Sequence, residues 1–345
     1  MSSGLVYPPG CYAKTEELIT LCKIVREYNG IYATHMRNEG NELEAALNET
    51  INISKESGVK SQVSHIKTWG EKNWWKIDKI ERMLKGARAD GIDITCDRYP
   101  YTASATDLDI ILPDWVYEGG TAKEKKRLGD PLCRERIIKE MEQEGVSKEF
   151  WGTIMISSVF NKDKRSYEGK TIAEISTTLK VPPLEFVLDL LYEEDCRVSV
   201  IFFNMSEENL ARILKWDFVM VGSDSSLRSL KGVLNYGKPH PRGYGTFSRV
   251  IRKYVNQTSI LSIEDAIYKM TGFPAQKLGL EDRGILKEGF FADITIFDQE
   301  TIAEQATFTD PHNYSIGIKH VIVNGKLTIN NGKHKSVMNG AILRK

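Results

Sequence analysis

The chain has 345 residues, with 47 basic against 47 acidic side chains and no net charge. This length suits one large domain or two ordinary ones, and the charge balance leaves no electrostatic footprint for nucleic acid. An apolar content of 41% is that of a folded globular chain, and no apolar run approaches the roughly 20 residues that a membrane span needs. Met1-Ser2-Ser3-Gly4-Leu5 has neither a charged nor an apolar leader region, so no secretory signal is expected. The cysteines Cys11, Cys22, Cys96, Cys133 and Cys196 are odd in number, scattered, and form no CxxC. Such a set suits a reducing compartment, and a cytoplasmic location is expected.

In chain order, residues 15–115 alternate between helical and strand patterns. Thr15 reads as an N-cap, followed by the apolar spacing Leu18, Leu21, Ile24, Val25 and a stop at Asn29-Gly30. Strand 31–36 follows. A second helix runs from Asn41 through Leu43, Ala46, Leu47 and Ile51 to Gly58, ahead of strand 59–66. A third helix, 73–89, ends near Gly91 and leads into strand 92–98. Helix–strand units at this spacing predict a parallel α/β sheet. Residues 118–150 are charged and helical, with the character of an insertion or lid. Trp151–Ser158 and Val198–Phe203 read as strands, and Val181-Pro182-Pro183 separates them from helix 184–193. Ser206 caps the next helix, and strand 218–223 delivers Asp224. A turn-rich loop, Gly237 to Gly245, precedes helices at about 246–256 and 262–271. From Arg283 onward the pattern changes to short strands and turns, a small β-region after an α/β body.

Three polar groups each follow a short apolar, β-branched run: His35 after Ile31-Tyr32-Ala33-Thr34, His65 after Gln62-Val63-Ser64, and Asp224 after Val219-Met220-Val221-Gly222-Ser223. A parallel barrel presents such positions at its active-site face. Imidazoles hold zinc, and a carboxylate moves protons. His35 and His65 are one helix–strand unit apart, which places them on adjacent strands. Two lone histidines also read as hydrogen-bonded core residues, Asp224 as a turn or capping carboxylate, and Lys67 as a solvated rim charge.

Further motifs lie in the same order along the chain: Ser3-Gly4-Leu5-Val6-Tyr7-Pro8-Pro9-Gly10, Ala33-Thr34-His35-Met36-Arg37, Ser64-His65-Ile66-Lys67, Asp97-Arg98-Tyr99-Pro100-Tyr101, and Pro239-His240-Pro241-Arg242-Gly243-Tyr244-Gly245. Together they resemble the N-acyl-D-amino-acid deacylases (D-aminoacylases) of the amidohydrolase superfamily. The resemblance implies a partial TIM-like (β/α) barrel over residues 1–282 and one leaf of an accessory β-sandwich over 283–345. It implies Zn2+ held by His35 and His65, with Asp224 taking and returning the proton. It implies that Lys67, Tyr99 and Ser104 meet the substrate carboxylate or amide, and that Tyr7, Phe202 and Met205 shape a side-chain pocket. Arg242 stands in a family-typical loop that could close over the substrate. The implied substrate is a small N-acyl-D-amino acid, with no nucleic-acid or membrane partner.

The family's His-X-His strand and ligand cysteine have no counterpart here, so no cysteine is assigned to metal. Two histidines fall short of the usual three protein ligands. The chain by itself is therefore expected to be weakly active or inactive, and its open strand edges are expected to self-associate or pair with a complementary N-terminal half. The rival readings are a non-catalytic binding subunit and a dihydropyrimidinase-like ring opener.

Overall fold

The computed structural model describes residues 1–143 and 147–343. Residues 144–146, inside the charged stretch 118–150, and the last two residues of the β-region lie outside them. The strands in chain order are β1 Ser2–Gly4, β2 Ile31–His35, β3 Lys60–Val63, β4 Ile94–Arg98, β5 Ala103–Asp107, β6 Ile154–Ser158, β7 Ser199–Phe203, β8 Val219–Val221, β9 Ile294–Phe297, β10 Ile318–Val323, β11 Lys326–Asn330 and β12 Lys333–His334.

The main sheet has the order β1-β2-β3-β4-β8, and every pairing in it is parallel. The predicted helices α1 Thr15–Glu27, α2 Leu43–Ser57 and α3 Ile77–Ala89 make its crossovers. Their apolar faces bury Leu43, Leu47, Ile80 and Leu84 against Val63, Ile94, Cys96 and Val219, all 0% exposed. Gly58 ends α2 at φ +68°, and its N–H donates to the Ser54 carbonyl, as a left-handed cap requires. The start of α1 differs from expectation. Lys14 occupies the cap position without a side-chain bond, while the Thr15 hydroxyl donates to Glu49 Oε1 at 2.7 Å. Ser206 caps its helix as predicted, accepting from the Asn209 N–H.

The two mid-chain strands do not join the parallel sheet. They form a separate antiparallel sheet, β5-β7-β6, with a strand at 103–107 that the sequence pattern did not announce. The cause is the short link 99–102 between β4 and β5. A parallel crossover needs a dozen residues or more, so the chain turns out of the sheet. β6 and β7, with the helices Thr121–Leu128, Pro131–Gln143, Ile172–Leu179 and Pro183–Glu193, enclose their own core around Ile156, Val187, Leu188, Leu191 and Val200. The chain then returns so that β8 pairs with β4, Cys96 opposite Val219. The tail forms the antiparallel sheet β12-β11-β10-β9. Asn324-Gly325 and Asn331-Gly332 both have positive φ, the signature of tight hairpin turns. Among the described residues no helix is long and apolar enough to cross a membrane.

Candidate metal and substrate site

The C-terminal ends of β2, β3, β4 and β8 converge, and that convergence brings His35, His65, Tyr99 and Asp224 to one cleft of about 1630 Å³. His35 is the last residue of β2. His65 lies two residues past β3 at φ +40°, a conformation uncommon for a side chain of its size. The Asp97 carboxylate holds it there, accepting the His65 backbone N–H at 2.8 Å. The two imidazole centres are 4.4 Å apart at 72°.

Glu39, four residues past His35, completes this cluster. His35, Glu39 and His65 each offer a ligand atom within 4.8 Å of the others. Glu39 Oε1 lies 2.5 Å from Lys67 Nζ and 3.0 Å from His65 Nδ1, while Oε2 faces His35 Nε2 at 3.6 Å. Burial opposes the charge on Glu39, but the Lys67 ammonium and the two imidazoles outweigh it and hold the carboxyl well below its usual range. Burial pushes His35 down to about 4, with Glu39 offsetting part of the effect. His35 is therefore neutral at pH 7, with a lone pair free for a cation. Two imidazoles and a carboxylate form a donor set that fits zinc, whose catalytic sites take such trios. No cysteine belongs to the cluster among the described residues.

Nine of the ten residues singled out from the sequence line this cleft: Tyr7, His35, His65, Lys67, Tyr99, Ser104, Phe202, Asp224 and Arg242. Lys67 is 3% exposed and salt-bridged to Glu39, so it is no solvated rim charge. Tyr7 donates to or accepts from Thr106 Oγ1 at 2.9 Å, and burial pushes its phenol up to about 12. Asp224 sits at φ +47° and pairs with Arg242, with Nη1 and Oδ2 2.9 Å apart. The Arg242 guanidinium lies over the Tyr99 ring, 4.5 Å from its centre. Met205 is the exception. It is buried beside Tyr99 and Tyr101, outside the cleft lining, where its sulfur accepts from Arg98 Nη2 at 3.1 Å. Its place one residue beyond the Phe202-Phe203-Asn204 wall points it inward, to packing.

Sequence reasoning missed Glu39 and the apolar wall of Trp69, Trp74 and Trp115. The i, i+4 spacing of His35 and Glu39 was a usable signal only once the loop after β2 was known to fold back on itself. His312 is structural: it bridges the Tyr244 hydroxyl at 3.0 Å and the Gly237 carbonyl at 3.0 Å.

A parallel α/β sheet with two imidazoles and a carboxylate clustered at its C-terminal edge is an arrangement that can hold a metal ion. The profile of the Amidohydrolase family matches residues 233–329. The chain is 32% identical to an N-acyl-D-glutamate deacylase of Alcaligenes xylosoxydans xylosoxydans over 94% of its own length and 56% of the relative's. It is also 32% identical to a D-aminoacylase of the same organism, over 94% and 57%. A D-aminoacylase crystal structure superposes with a TM-score of 0.80 at 30% identity, covering 100% of this chain and 62% of that one. An N-acyl-D-glutamate deacylase of Bordetella bronchiseptica, solved with zinc and a phosphonate inhibitor, follows at a TM-score of 0.77 and 28% identity, over 98% of this chain and 62% of that one. The chain thus spans little more than half the length of the curated relatives it matches. Over nearly all of its own length it is similar to the N-acyl-D-amino-acid deacylases (D-aminoacylases).

Proposed function

We propose that this chain hydrolyses the amide bond of an N-acyl-D-amino acid, releasing a carboxylate and a free D-amino acid, with zinc at His35 and His65. The observation that carries the reading is the pair of imidazoles, 4.4 Å apart, in one cleft with Asp224 and the cationic corner of Lys67 and Arg242. Glu39 would supply a third donor, because Lys67 takes only one of its carboxylate oxygens. Bound zinc would supply Lewis acidity to the amide carbonyl and the attacking water.

The remaining chemistry belongs to the side chains. Arg242 orients the Asp224 carboxylate, which takes a proton from the attacking water and returns it to the leaving amine. Lys67 is fixed by Glu39 two residues past His65, so its ammonium faces the reacting amide without needing to be ordered on binding. The corner of Tyr99, Ser104 and Arg242 receives the substrate's carboxylate, an anion that a guanidinium grips in a directed way. Tyr7 and Phe202 bound the space left for the side chain.

The test is zinc content of the purified chain together with hydrolysis of N-acetyl-D-methionine and its L-enantiomer. One zinc per chain and turnover of the D-form alone support the reading. A chain without zinc, or one that treats both enantiomers equally, overturns it.

A further inference from the structure

The corner assigned above to the substrate carboxylate rests on a residue that lies behind the cleft lining and is not part of it. Two guanidiniums lie over the Tyr99 ring, Arg98 at 4.2 Å and Arg242 at 4.5 Å from its centre. Arg242 has Asp224 for a counter-charge, and Arg98 has no carboxylate partner among the described residues. The Tyr99 hydroxyl is buried and without a hydrogen-bond partner among those residues. The corner is thus cationic, with a donor in reserve, which suits an incoming anion.

Behind it sits His240, only 5% exposed. Its Nε2 lies 2.9 Å from the Ala103 carbonyl oxygen, which can only accept. Its Nδ1 accepts the backbone N–H of Arg242 at 3.0 Å. These two bonds together require one tautomer, neutral with the proton on Nε2. Burial, with Arg242, Arg98 and Arg249 nearby, pushes the imidazole well below its usual range, in agreement with that neutral form. The ring is held edge-on by Tyr101 at 5.0 Å and 89° and by Phe308 at 5.1 Å and 75°. Ala103 immediately precedes Ser104 in β5, and Arg242 opens the helix Arg242–Arg249. One imidazole therefore fixes the backbone on both sides of the corner, one from the antiparallel sheet and one from the loop after Asp224.

We propose that His240 is a positioning residue, whose fixed Nε2–H tautomer ties Arg242 to the Ala103–Ser104 backbone and so builds the pocket for the substrate's carboxylate. This inference rests on the deacylase reading. A role confined to the carboxylate makes a specific demand. Loss of His240 must weaken recognition of an N-acyl-D-amino acid while sparing its primary amide, which has the same shape and no charge.

The experiment compares binding of N-acetyl-D-methionine and N-acetyl-D-methioninamide to the zinc-loaded full chain and to His240→Leu and His240→Gln. The unaltered chain should favour the acid. His240→Leu should cut that preference about tenfold or more, the size expected for a lost charge-assisted contact. KM for the acid should rise with less change in kcat, and His240→Gln, which keeps a donor and an acceptor, should recover part of the loss. Nitrogen NMR shifts of His240 in the unaltered chain should report the Nε2–H tautomer at pH 7. An Nδ1–H tautomer or an imidazolium there overturns the inference even if the leucine variant fails to fold. A preference for the acid that survives His240→Leu overturns this inference alone. An unaltered chain that binds neither compound overturns the deacylase reading, and the ligand of this corner with it.

Discussion

Each residue of the candidate metal cluster answers to a different constraint. His35 is delivered by the end of a strand, His65 by a strained turn that Asp97 stabilises, and Glu39 by a loop that Lys67 pins. Replacing His35 or His65 with alanine should remove zinc from the chain, as elemental analysis would show. Glu39→Gln should weaken zinc by about 10–100-fold, the usual effect of altering a ligand's charge or support, and a competition titration with a chelator measures it. Asp224→Asn should leave zinc in place and lower kcat by about 10²–10⁴-fold, since the proposed proton carrier is lost. His35 also carries a pH signature. Its folded value of about 4 lies below the ordinary 6.5, so the unfolded chain binds the proton first as pH falls. The stability this residue contributes is complete above 6.5 and is lost as pH drops through 4. In metal-free protein, thermal melts should therefore decline over that window, and less so in His35→Gln.

The insertion between β4 and β8 has an electrostatic character of its own. Asp109 follows β5, and Glu124 lies in the helix Thr121–Leu128. Burial pushes Asp109 up to about 6, with the Asp107 charge adding to the effect, and Glu124 up to about 7, with the Asp109 charge adding to it. For an acid raised in the folded state, the stabilising protonated form is present below the unfolded value and is lost as pH rises through the folded one. Glu124→Gln should accordingly stabilise the chain by about 1–3 kcal/mol at pH 8 and by little at pH 4, read by urea denaturation at both pH values. This element also shows how far local sequence reaches. The pattern of Trp151–Ser158 and Val198–Phe203 announced strands, because apolar and β-branched residues suit a pleated surface in any sheet. Which sheet they join depended on the four-residue link after Arg98.

Across the whole molecule, the antiparallel layer docks on the parallel one through a small polar seam. The Asn204 carbonyl accepts from the Gly70 N–H and from Trp74 Nε1, both at 3.1 Å. Asn209 Nδ2 donates to Thr68 Oγ1 at 3.0 Å and to the Trp74 carbonyl at 2.8 Å. Asn209→Ala should cost about 1–3 kcal/mol of unfolding free energy, because the partners it leaves are buried. The tail is joined to the body by Glu304, paired with Arg249 at 2.7 Å, and by the Ser248–Ser315 hydroxyl contact at 2.5 Å. The docked antiparallel layer brings Ser104, Phe202, Phe203 and Asn204 to the far wall of the cleft.

The sequence by itself determined the parts governed by short-range pattern. The period of apolar residues set the three crossover helices. The apolar runs ending in His35, His65 and Asp224 set which polar groups emerge at one edge of a parallel sheet, and so the class of chemistry. Tertiary structure alone decided what depends on chain return. Glu39 became a donor because its loop folds back beside Lys67. Met205 went into the packing behind Tyr99, and His240 came to bond the backbone of Ala103, 137 residues away from it. The physical reason is range. Propensity and periodicity act over a few residues, whereas a buried charge or imidazole takes its role from partners that only the folded chain brings within hydrogen-bonding distance.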